Sequence, residues 1–373
     1  MMLTPLLSLI SAFMIGLIAV PQVIKVIHKN NIFDQPGGRK IHKAITPSLG
    51  GVAIYIAFYI AFCAFVEADQ LKEFQYFIAG SLLIFFMGIR DDMLPLNPKN
   101  KLIVQLLSAS MVIGLHSIKL ESFYTLDFMG DFPEWFSVIA SLFMVIALSN
   151  AYNLIDGING LAGSIAALFF ACMGGWFLLI QELGWAVFSL SMLGALLGFL
   201  WYNWNPAKIF MGDTGSMVIG FSISIVIIVF LNLNKALSSQ HSYFINNSVS
   251  LSIALFAYPI FDTLRIFTLR MSQGRSPFSP DKLHVHHMLL RMGLEHHHVT
   301  LVILCVSICA IVMAWGLGLV LSDRFVLLWL AISGFVLNAG LNWRVKRVFF
   351  ERDKRAEHKR NIILRKERQK LLQ

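Results

Sequence analysis

"SNAYNLIDGINGLAG", residues 149–163, lies between two long apolar runs and sets Asn153, Asp156 and Asn159 among Gly157, Gly160 and Gly163, where membrane-spanning sequence would otherwise continue. A chain that is 57% apolar and 14% charged, with a mean hydropathy of +0.70 over 373 residues, spends little polarity anywhere. Polarity concentrated in one short stretch therefore calls for a use.

The flanking runs belong to a series. Apolar segments fall at about 3–27, 47–66, 74–89, 102–117, 135–152, 161–180, 185–202, 215–232, 250–269, 299–321 and 325–343. They have the length and composition of bilayer-crossing helices, since the hydrocarbon core admits only structures that satisfy their own backbone. The expectation is an all-α polytopic integral membrane protein of about eleven transmembrane helices. A catalytic membrane domain would cover 1–343 and a basic cytoplasmic tail 344–373. The first run lacks the basic start and small-residue cleavage site of a signal peptide and reads as a span. Cys63, Cys172, Cys305 and Cys309 all sit inside apolar runs without zinc-site spacing or a disulfide framework, and read as packing residues.

Eleven spans put the connecting segments alternately on two faces. The segments near 67–73, 118–134, 181–184, 233–249 and 322–324 hold only Lys72, Lys119, Lys235 and Arg324 of the 30 basic residues. By the positive-inside rule the other face is cytoplasmic, with the N-terminus outside and the C-terminus inside. The net charge of +9 then reads as attraction to an anionic membrane surface, with no nucleic acid implied.

The cytoplasmic segments, 28–46, 90–101, 153–160, 203–214 and 271–298, carry nearly every polar motif. Converging loops on one face describe a site at the membrane surface. A transporter would place ionisable residues at mid-membrane depth, where only Asp262 is a candidate. Asp91 and Asp92 in "GIRDDMLPLNPKNK", Asp156, and Asp213 in "FMGDTGS" form a carboxylate set. Singly, each could be a turn or helix-cap residue; together, oxygen-only ligands favour Mg²⁺ or Mn²⁺. The basic counterpart lies in "GGRKIHKAITPSLGG", with Lys40 and His42, and in "RMSQGRSPFSPDKLHVHHMLLR", with Arg270, Lys282, His284, His286 and His287. These suit phosphate oxygens. "EHHHV" at 295–299 reads as the interfacial start of the next helix. Glycines beside Asn159 suit a turn that re-enters a helix and offers N–H groups to an anion.

In order, "KIHKAITPSLGG", "GIRDDMLPLNPKNKLIVQ", "NAYNLIDGINGLAG", "IFMGDTGSMVIGF" and "SPFSPDKLHVHH" resemble the polyprenyl-phosphate N-acetylhexosamine-1-phosphate transferase family over residues 30 to about 295. The histidine loop is most similar to the bacterial branch that loads GlcNAc-1-phosphate onto undecaprenyl phosphate to begin O-antigen, lipopolysaccharide or other cell-wall polymers. It is unlike that of the peptidoglycan-precursor translocase branch. The resemblance implies transfer of a HexNAc-1-phosphate from a UDP-sugar, with release of UMP, in the bacterial cytoplasmic membrane. It implies catalytic roles for Asp91, Asp92, Asp156 and Asp213, with Mg²⁺ or Mn²⁺ on Asp213, Asp91 and Asp92. Substrate contacts would come from Lys40, His42, Asn153, Asn159, Arg270, Lys282, His284, His286 and His287. The partners implied are the two substrates and membrane lipid, with a homodimer left open. One departure stands out: the family usually has Asp where this chain has Asn159, so that residue cannot be an obligatory proton acceptor. The rivals are a lipid-linked-sugar flippase or exporter and a CDP-alcohol phosphotransferase, whose Arg-bearing signature "DGINGLAG" lacks.

Overall fold

The computed structural model describes residues 3–30, 47–115, 117–126, 130–276 and 283–371. Among these, helix is the only extended element. Helices α1 (Leu3–Lys29), α2 (Gly50–Phe65), α3 (Leu71–Met93) and α4 (Pro98–Ser110) are followed by α5 (Glu134–Leu154), α6 (Leu161–Leu179), α7 (Leu183–Asn203) and α8 (Gly212–Ala236). Then come α9 (Ser248–Leu255), α10 (Ala257–Ser272), α11 (Val285–Arg291), α12 (His296–Gly318) and α13 (Asp323–Leu371). The described residues of every apolar run are mostly helical. Among the described residues eight helices are long and apolar enough to cross a membrane, or nine if the bent pair α9–α10 counts as one, against the eleven expected. Helix α2, with 16 residues, and α4, with 13, fall short of that length by themselves, although a π turn at Met111–Leu115 prolongs α4. The protein is a multi-pass membrane protein.

Its centre is α8. The apolar window of this helix is 89% buried, against 28% for α1 and α12, and α2, α3, α5 and α6 pack around it. Lipid tails are as apolar as leucine, so such a bundle is held by close packing rather than by escape from water. Small residues permit that closeness. A Cβ on Gly51 would lie 2.1 Å from the backbone nitrogen of Gly215, and one on Gly88 would lie 2.4 Å from Cα of Thr214. Helices α2 and α3 therefore cross α8 backbone to backbone at its first turn.

Between Ile219 and Phe230 the interior of α8 is apolar apart from Ser222 and Ser224, whose hydroxyls donate to the carbonyls of Val218 and Phe221. That is a packed core, unlike the polar pathway of an exporter. The run 250–269 is bent by 77° between α9 and α10. Pro259 has no N–H for the Leu255 carbonyl, so the helix cannot continue regularly through that point. Helix α13 passes without a break from the apolar stretch Asp323–Val345 into the basic terminal segment, so the boundary drawn at 343 falls within a continuous helix.

Candidate active site

The described parts of the polar segments meet at one rim of the bundle, around the start of α8. The strand of chain before α2 is tied there: the Phe210 N–H donates to the Pro47 carbonyl at 2.7 Å, and the N–H groups of Gly50 and Gly51 donate to Phe210 and Met211 at 2.9 and 2.8 Å. Asp92, in the last turn of α3, spends both oxygens on α8. Oδ1 accepts the Asp213 N–H at 2.7 Å, and Oδ2 accepts the N–H and hydroxyl of Thr214 at 3.0 and 2.6 Å. A helix begins with N–H groups that have no partner inside it, and an anion there satisfies them and suits the helix dipole. Asp92 is thus an N-cap supplied by another helix.

Asp213 itself is held by its side chain. Its Oδ1 accepts from Asn153 Nδ2 at 2.9 Å, the same nitrogen that lies 2.7 Å from Ser216 Oγ. Its Oδ2 accepts from Lys101 Nζ at 2.8 Å. Lys101 also pairs with Asp91, a residue 8% exposed whose Oδ1 accepts the Leu96 N–H at 2.6 Å. One ammonium thus sits between two carboxylates. Lys101 stands at the end of the motif at 88–101, where the sequence alone assigns it no role. Its signal was the Asn-Pro helix start before it: Asn97 caps α4 by accepting the Lys99 N–H at 3.1 Å.

Asp156, in the turn between α5 and α6, accepts from the Gly212 N–H. Burial, then the negative charges of Asp213 and Asp92, push its carboxyl up to about 7. Asp156, Asp92 and Asp213 lie close enough to interact by charge, and with Asp91 they offer oxygen donors only. The Lys101 ammonium marks where Asp91 and Asp213 require a cation, so these residues fit a hard divalent ion such as Mg²⁺ or Mn²⁺.

The histidine segment closes over the Asp156 turn. A Cβ on Gly157 would lie 2.6 Å from Nε2 of His286, so only glycine admits that ring. His286 is 1% exposed, and its Nδ1 lies 3.0 Å from the Tyr258 hydroxyl. Burial first, then the neighbouring His287, push its imidazole down to about 3, so it is neutral at physiological pH. His286 therefore packs on the turn as a neutral group and brings no positive charge to a phosphate. His284 Nδ1 lies 2.7 Å from Oδ2 of Asp262, a pairing invisible in the sequence.

Asn159 is gripped by α12. Its carbonyl accepts from Thr300 Oγ1 at 2.8 Å, and its N–H points to His296 Nδ1 at 3.5 Å. His297 Nδ1 lies 3.0 Å from Asn205 Nδ2. The "EHHHV" segment does start a helix, and it also clasps two loops of the rim. The Asn159 Oδ1 is buried without a hydrogen-bond partner. Arg270 is buried near the end of α10, and His287 lies with its ring 4.4 Å from that of His286. Lys40, His42 and Lys282 fall outside the described residues.

Helices of membrane-spanning length with a carboxylate, amide and imidazole cluster on one rim define a multi-pass membrane enzyme. The sequence profile of glycosyl transferase family 4 matches residues 74–231, which hold all four carboxylates. A relative from Bacillus subtilis (strain 168), described as a probable undecaprenyl-phosphate N-acetylglucosaminyl 1-phosphate transferase, is 33% identical over 83% of this chain and 86% of its own length. Proteins described as undecaprenyl-phosphate alpha-N-acetylglucosaminyl 1-phosphate transferases from Yersinia pestis and Escherichia coli (strain K12) are 28% and 27% identical, each over 95% of this chain and 96% of their own. The chain belongs to this glycosyl transferase family 4 and is a phosphosugar transferase.

Proposed function

We propose that the protein transfers GlcNAc-1-phosphate from UDP-GlcNAc to undecaprenyl phosphate at the cytoplasmic face of the bacterial cytoplasmic membrane. The observation that carries this is the convergence of Asp91, Asp213, Lys101 and Asn153 at the start of the most buried helix, beside the Asp156 turn. The names of the relatives support the lipid acceptor and the GlcNAc-1-phosphate group, the family resemblance supports the UDP donor, and the basic-residue bias supports the orientation.

In the reaction an oxygen of the lipid phosphate bonds to the β-phosphorus of UDP-GlcNAc. The bond from that phosphorus to the bridging oxygen breaks, and UMP leaves with the oxygen. Little covalent work falls to the protein in such a displacement; alignment and charge neutralisation dominate. Mg²⁺ or Mn²⁺ held by Asp213 and Asp91 would supply positive charge to the phosphates. Asn153 and Lys101 fix the rotamer of Asp213, and Asp92 fixes the helix turn that carries it. Asp156 lies where a proton or a polar contact is exchanged near neutral pH. Asn159 offers its unpaired Oδ1 to a donor on the substrate.

The test is a panel of labelled UDP-sugars given to membranes containing the protein and polyprenyl phosphate, with lipid-extracted label and UMP both measured. Label in lipid with matching UMP from UDP-GlcNAc is expected. Efficient use of a peptide-bearing UDP-sugar in its place would move the protein to the translocase branch.

A further inference from the structure

Tyr258 and Asp262 lie four residues apart on α10, so one face of that helix presents both. Asp262 is fully buried, and His284 is 6% exposed. Besides meeting His284 Nδ1, Asp262 accepts the Val285 N–H through Oδ1 at 2.9 Å, at the entry to α11. A carboxylate only accepts, so the His284 nitrogen that faces it bears the hydrogen, and Nε2 is the ring atom left for another partner. The rings of His284 and His286 stack at 5.5 Å and 14°. Because His286 abuts Gly157, next to Asp156, the stack sets His284 close to the reaction site. The Tyr258 hydroxyl holds the His286 ring through Nδ1.

We propose that Asp262 is a positioning residue that acts through His284. It fixes the ring's orientation and holds a hydrogen on Nδ1, so that Nε2 is turned toward a substrate phosphate group. His286, held by Tyr258, seats the Asp156 turn. This deepens the reading above and rests on it. The phosphate belongs either to the UDP-sugar or to the lipid phosphate; the recognising chemistry is the same.

The test uses purified full-length protein carrying Asp262→Asn, His284→Asn, or both. Asparagine keeps an oxygen for the Val285 N–H, so the entry to α11 survives, but the anion facing Nδ1 is gone. With Asp262→Asn the KM for one substrate should rise about tenfold while kcat changes by less than about threefold. In the His284→Asn background the same change should shift KM by less than about twofold. A rise confined to UDP-GlcNAc assigns the phosphate to the nucleotide, and one confined to undecaprenyl phosphate assigns it to the lipid. A fall in maximal rate with both KM values unchanged would show a merely structural residue and overturn the proposal. A second measurement does not depend on the reaction. Nitrogen NMR of the histidine-labelled full-length chain should show His284 with a hydrogen-bonded Nδ1–H that is lost in Asp262→Asn. If the wild-type chain transferred nothing from UDP-GlcNAc, the reaction assignment would fail on its own. Finding His284 as the tautomer with hydrogen on Nε2 alone would still sink the Asp262 pairing.

Discussion

The side chains of the rim divide by whether their polar atoms are already spent. Both oxygens of Asp92 meet the start of α8 and Nδ1 of His286 meets the Tyr258 hydroxyl, whereas Asp213 and Asp91 share a lysine that a divalent cation could replace. Asp213→Asn should abolish turnover while leaving insertion and thermal unfolding close to wild type, because an amide is a poor ligand for a hard cation. Removal of divalent cations by chelation should silence the wild-type enzyme, and Mg²⁺ or Mn²⁺ should restore it; full activity in excess chelator would refute the metal assignment. Asn159→Asp should keep substantial activity, and Asn159→Leu should lose roughly 10- to 100-fold, the cost of about 1–3 kcal/mol for an unmet polar contact. Equal, mild losses would make Asn159 a plain turn residue. His286 has a pH signature. Its folded value near 3 lies below its ordinary 6.5, so the unfolded chain binds the extra proton between those values. Stability is therefore lost as pH falls from about 6.5 towards 3. Thermal unfolding of His286→Gln across that range should show a shallower acid limb than wild type. The carboxylates were legible in the sequence because each interrupts an apolar run. Lys101 and the pairing of Asp262 with His284 were not, since their value lies in partners 112 and 22 residues away.

Elements explain why the carboxylates meet. Helix α8 begins at the rim because Asp92 satisfies its first N–H groups and because α2 and α3 press against it without intervening side chains. Asp92→Ala should destabilise the protein by about 1–2 kcal/mol, as a lost helix cap does, and should also cut activity by displacing Asp213. Unfolding and turnover measured on one preparation would check both, and unchanged stability would refute the cap. Gly88→Ala should be worse, since the added methyl meets Cα of Thr214. Apolar periodicity made the helices readable from sequence because a span must be long and greasy. The bend between α9 and α10 was not read, although Pro259 gave its physical cause. The trans-capping of α8 could not be read, because a helix start of Gly-Asp-Thr-Gly looks self-capped until its neighbours are known.

At the scale of the whole molecule the two rims differ in kind. Opposite the site, Lys235 is paired with Asp131 at 2.7 Å and Glu121 at 3.1 Å, and Lys119 with Glu134. Asp323 accepts the N–H groups of Val249 and Ser250. Those lysines and Asp323 are tied into structural contacts, while the site rim brings Asp91, Asp92, Asp156 and Asp213 together. In a variant freed of its native cysteines, single cysteines near Asp92, Asp156, Asp213 and His286 should resist an impermeant reagent applied from outside and react after permeabilisation. Labelling without permeabilisation would reverse the topology and remove access to cytosolic UDP-sugars. The central claim is that phosphorus moves with the sugar. Purified protein given undecaprenyl phosphate and UDP-GlcNAc radiolabelled in the β-phosphate should pass the label to the organic phase and leave unlabelled UMP in the aqueous phase. Label retained in the aqueous phase as UDP, with GlcNAc alone on the lipid, would contradict it.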